Sequence, residues 1–67
     1  MSNELRVIKA QVKSRLIELG MTQTELADMV GVAKSVISDL LTYGKASDMV
    51  KEKVSAALEI KNPWLRN

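Results

Sequence analysis

Leu5, Ile8, Val12, Leu16 and Leu19 recur at three- and four-residue spacing through a segment otherwise rich in charge. That spacing predicts one amphipathic helix. Gly20 supplies the residue that most cheaply takes the left-handed conformation ending a helix. Thr22 then reads as an N-cap, with Glu25 three residues on completing a capping box. A short second helix runs through Leu26, Ala27, Met29 and Val30 to Gly31. Val32, Val36, Ile37, Leu40 and Leu41 form a third helical set. The β-branched Val36 and Ile37 weaken it slightly, but no alternation supports a strand. Gly44 closes this helix, and Ser47 caps a fourth that carries Met49, Val50, Val54, Ala57 and Leu58 toward the core. Asn62 and Pro63 form a cap-plus-first-residue pair for a stub through Trp64 and Leu65. The prediction is all-α: a compact domain of four to five helices spanning 1–67, with no repeat or low-complexity segment.

Composition narrows the function classes more than the fold. A 67-residue chain buries only about 60% of the surface its unfolded form exposes, so its stability is modest. Tyr43 and Trp64 are the only aromatic residues, which leaves Leu, Val, Ile and Met to fill the interior. Met21, Met29 and Met49 are expected there as core filler. The chain has no cysteine and no histidine. Disulfides and thiolate or imidazole metal sites are therefore excluded, and the usual nucleophile and general-base inventory is nearly empty. Neither an enzyme nor a cofactor or small-molecule substrate is expected. Ten basic against eight acidic residues give a net charge of +2, which permits nucleic-acid binding without demanding it. Charge is mixed through the N-terminal apolar residues, so neither a signal peptide nor a membrane span is expected. A cytoplasmic protein is the expectation.

The stretch "QTELADMVGVAKSVISDLL", from Gln23 to Leu41, carries the functional signal. Ala27 is small where a second helix crosses the first, and Gly31 stands where the chain must turn sharply. Val32 plugs that turn, while Ile37 and Leu40 pin the following helix to the core. Two helices joined this way leave the N-terminal half of the second standing clear, sized for the DNA major groove.

With Gln23, Leu26, Ala27, Gly31, Val32, Ile37 and Leu40 matching together, the stretch resembles the helix-turn-helix of the lambda-repressor/Cro-like (XRE) family. These are small bacterial and phage transcriptional regulators, and the resemblance covers Leu5 to about Leu58. It implies a homodimer on a near-palindromic DNA operator, with repression as the output and a phage or mobile-element regulator as the type. By similarity, Gln23 bonds a phosphate and braces the third helix, whose Lys34, Ser35 and Ser38 face the groove. Three features depart from the family pattern. Ala33 occupies the third helix's N-cap, where Ser, Thr or Asp is common. Asp39 lies near the DNA-facing side. The "TYGKAS" stretch is one residue longer than the common loop.

The expected DNA-contacting set is thus Thr22, Gln23, Ala33, Lys34, Ser35, Ser38, Asp39, Thr42 and Lys45. Each has a plainer reading as solvated surface. Asp39 either touches a base or organises Lys34 or Lys45. Lys13 and Arg15 read as solvated helix charges. Trp64 either caps the core or, beside Ile60 and Leu65, meets a second subunit; the resemblance favours the second. Two other functions compete with a repressor: a protein-interaction module (antirepressor or adaptor) on the same fold, and a DNA-bending, excisionase-type protein.

Overall fold

The computed structural model describes residues 3–64. Four helices follow one another: α1 (Asn3–Leu19), α2 (Gln23–Val30), α3 (Lys34–Tyr43) and α4 (Asp48–Leu58). No strand occurs among the described residues.

Local chemistry sets each boundary. Gly20 has φ of 65°, and two bonds close α1 around it: Gly20 N–H to Ile17 O at 3.1 Å and Met21 N–H to Leu16 O at 2.8 Å. This pairing satisfies the last orphan carbonyls of α1 and reverses the chain. Thr22 begins α2 with a complete capping box. Glu25 N–H donates to Thr22 Oγ1 at 3.1 Å, and Thr22 N–H donates to Glu25 Oε1 at 3.0 Å. Gly31, at φ 83°, ends α2 by donating to Ala27 O at 2.8 Å. Ser47 caps α4 by accepting from Val50 N–H at 3.2 Å. Beyond α4, Asn62 Oδ1 accepts from Trp64 N–H at 3.0 Å, as expected of a cap with Pro63 in the first position.

The core gathers Val12 and Leu16 from α1, Leu26, Ala27 and Val30 from α2, Ile37, Leu40 and Leu41 from α3, and Val54 and Leu58 from α4. Trp64 closes it with 8% of its surface exposed. Helix α3 packs on α1 and α2, and α4 packs on the same two, so the helix-turn-helix pair rests on a floor built by α1 and α4.

Three expectations are corrected here. Met29 and Met49 are 60% and 64% exposed, and of the three expected in the interior only Met21 packs against the core. The core stripe of α2 runs through Leu26, Ala27 and Val30, which turns Met29 aside. On α4 the stripe of Val50, Val54 and Leu58 puts Met49 on the far side. Arg15 is not simply a solvated charge. Its Nε donates to Leu58 O at 2.7 Å while Nη1 reaches Glu18 Oε1 at 3.2 Å. The last carbonyls of α4 lack intrahelical partners, and Arg15 supplies one across the domain. Trp64, expected at a subunit contact, is instead largely enclosed within its own chain and leaves little surface for a partner.

Candidate nucleic-acid interface

Helix α3 buries Ile37, Leu40 and Leu41 and turns the opposite face outward. At 100° per residue, Ser35, Ser38, Asp39 and Thr42 share that outward face, with Lys34 on one side and Tyr43 on the other. Ser35, Ser38, Asp39 and Lys34 are exposed, and Thr42 is half-buried. The face is short, polar and free of large apolar side chains until Tyr43. It has the shape of a helix able to lie against a base-pair edge.

The start of α3 differs from that of α2. Ala33 is extended (φ −70°, ψ 151°) and forms no side-chain cap. Val36 N–H donates to Ala33 O at 3.0 Å, while no side chain takes the N–H groups of Lys34 and Ser35. No acidic residue stands in the first turn of α3. Two backbone donors and the positive end of the helix dipole therefore meet at an exposed point, and the exposed Lys34 is the first residue there.

At the start of α2, Thr22 has already committed its backbone N–H and one hydroxyl lone pair to Glu25. Only its hydroxyl proton remains to offer an anion. Gln23, the first residue of α2, is half-buried, with its backbone in an unsatisfied N-terminal position. Lys45, after α3, is exposed. Among the described residues, Asp39 forms no ion pair with Lys34 or Lys45, so the organising role expected of it is not realised. Ile60 is half-buried against the core, and Leu65 lies outside the described residues.

Tyr43 flanks this face at the end of α3. It is 59% exposed at the last turn of α3, where the sequence suggested the beginning of a loop.

The helix-turn-helix family model HTH_3 matches residues 12–61, three-quarters of the chain. The chain belongs to the lambda-repressor/Cro-like (XRE) helix-turn-helix family. No curated protein and no solved structure matches the chain. The matched span runs from Val12, the first core residue of α1, through α4 to Lys61, so it contains both helices of the motif and most of the floor beneath them. This is a family of DNA-binding regulators rather than of enzymes. No cluster of metal-ligating side chains occurs among the described residues, and no helix there is long and apolar enough to cross a membrane.

Proposed function

We propose that this XRE-family regulator is a repressor that lays α3 in the major groove of a near-palindromic operator and binds it as a homodimer. The observation that carries the reading is the start of α3: an exposed helix N-terminus without a side-chain cap or first-turn acid, followed by an outward face of Lys34, Ser35, Ser38 and Thr42. Gln23, Thr22 and Lys45 hold phosphates on either side and set register, which carries no base information. Lys34 and Ser35 reach base edges such as the guanine acceptors, and Asp39 accepts from a cytosine amine. Such a protein acts in the cytoplasm, where the operator is.

Substitution separates positioning from reading. Gln23→Ala weakens matched and mismatched operators by similar factors. Ser35→Ala costs about 1–3 kcal/mol on the preferred site and relaxes preference at one base pair. Measured affinities on a panel of single-base operator variants distinguish the two patterns. If neither change alters affinity or preference, α3 is not the reading helix.

One observation favours the adaptor reading: among the described residues Asp39, on the outward face, has no ion-pair partner. Binding to random duplex DNA at low salt decides between them, because a DNA binder loses affinity steeply as salt rises. A salt-insensitive or absent interaction turns the conclusion to a protein-binding module.

A further inference from the structure

Helix α1 carries a second apolar face that its own core does not use. Ile8, Val12, Leu16 and Leu19 point inward, whereas Val7 and Ile17 are 64% and 80% exposed. Between them on the same outward line lie Ala10 and Ser14, both exposed. The spacing 7, 10, 14, 17 alternates three and four residues, which is the seam of a two-stranded coil, with small residues at its centre.

Charge is sorted on either side of this seam. By helical angle, Arg6 and Lys13 flank it on one side and Gln11 and Glu18 on the other. Beside the acidic flank runs a shallow groove lined by Gln11, Ser14, Arg15, Glu18, Glu59 and Ile60. Its single cation, Arg15, is already committed to Leu58 O and Glu18. The groove therefore presents two carboxylates against one satisfied arginine, while the opposite flank presents Arg6 and Lys13 without an ion pair among the described residues.

We propose that this face of α1 binds a second copy of the chain, with the two α1 helices side by side and parallel. The sorting of charge selects both occupant and direction. A two-fold axis along parallel helices sets the basic flank of each against the acidic flank of the other, bringing Lys13 to the partner's Glu18 and Arg6 to the partner's Gln11. An antiparallel pair sets Arg6 against the partner's Lys13 instead, which repels. Val7, Ala10, Ser14 and Ile17 then meet their own counterparts, with Ala10 and Ser14 allowing close approach at the middle. The helix is already folded on its inner face, so pairing orders only side chains. With Val7 and Ile17 the only large apolar side chains in its four layers, the seam is small and the dimer is reversible. This inference deepens the two-subunit part of the proposed function and assigns Ile60 to the rim of the contact.

The absence of cysteine makes a direct test available. Oxidised Ser14→Cys is expected to form a covalent dimer rapidly, because position 14 faces itself, whereas Met29→Cys on α2 stays monomeric. In sedimentation, Lys13→Glu and Glu18→Lys alone lose self-association, and mixing the two variants restores it as a heterodimer. Tighter association of Lys13→Glu by itself overturns the parallel arrangement; a wild-type chain that stays monomeric at every soluble concentration overturns the contact altogether. The charge-neutral Ile17→Ser keeps DNA reading separate. It is expected to lower the dimer fraction while single subunits still bind random duplex at low salt. Dimerisation without any DNA binding would sink the regulator reading and leave this interface standing.

Discussion

Glu59 ends α4 in the left-handed region at φ 58°, the one described non-glycine residue with positive φ. An L-residue pays about 1–2 kcal/mol for that conformation, and glycine gives back roughly 0.5–1 kcal/mol through its looser unfolded chain. Glu59→Gly should therefore stabilise by about 0.5–1 kcal/mol, read as a higher denaturant midpoint. At Gly31 the balance runs the other way. Nothing lies within 4 Å of where its Cβ would stand, so Gly31→Val is opposed by the backbone at φ 83° rather than by a clash. A loss of more than about 1 kcal/mol is expected; unchanged thermal stability would mean the turn tolerates a side chain. Trp64 is a larger matter. Buried to 8% exposure, its truncation to Ala should cost about 3–5 kcal/mol, comparable with the whole stability of a chain this size. Lost helicity at room temperature is the expected sign. Retained helicity with only a weakened dimer would restore Trp64 to the interface. The glycines and caps were legible in the sequence because their chemistry is local. Met29, Met49, Trp64 and Arg15 were not, since each is settled by what a distant helix does or does not place against it.

The two helices of the motif begin differently, and the difference is testable. Helix α2 closes its N-terminus on itself through Thr22 and Glu25, whereas α3 leaves Lys34 and Ser35 N–H groups open behind Ala33. An N-cap acceptor in place of alanine typically adds about 0.5–2 kcal/mol. Ala33→Asp should then raise the melting temperature while weakening DNA binding, because the carboxylate takes the donors and repels the phosphate that would use them. A variant that is more stable and binds as tightly as the wild type would show that no phosphate sits at this helix end. Conversely, Thr22→Ala should lose about 0.5–2 kcal/mol with α2 frayed at its start. All four helices could be read from apolar spacing and caps alone, because each element carries both signals. What spacing could not supply was the second, outward stripe of α1: Val7 and Ile17 look like noise around the inner face until exposure separates the two.

At the scale of the molecule, size and connectivity constrain how two copies meet DNA. The described residues measure 27 × 23 × 19 Å, so equivalent points on two touching copies can lie about 34 Å apart, one turn of B-DNA. Two α3 helices joined through a direct contact would then enter successive major grooves on one face of the duplex. The family and the fold were legible from Leu5 to about Leu58, a stretch the family match at residues 12–61 largely overlaps, because turn, caps and core spacing are all local signals, whereas the operator is set by a few exposed side chains that the fold leaves unconstrained. Spacing gives the sharpest whole-molecule test. On an operator chosen from a random pool, inserting about five base pairs between half-sites rotates the second groove to the far side of the duplex and should reduce affinity to that of a single half-site. Inserting about ten restores the face but doubles the distance, beyond the reach of two touching subunits of this size, so affinity should stay low. Ile17→Ser should bind the intact operator no better than a half-site and be insensitive to either insertion. Recovery of full affinity with the ten-base-pair insertion would mean that the copies do not touch on DNA, and an asymmetric selected site would mean that one subunit suffices.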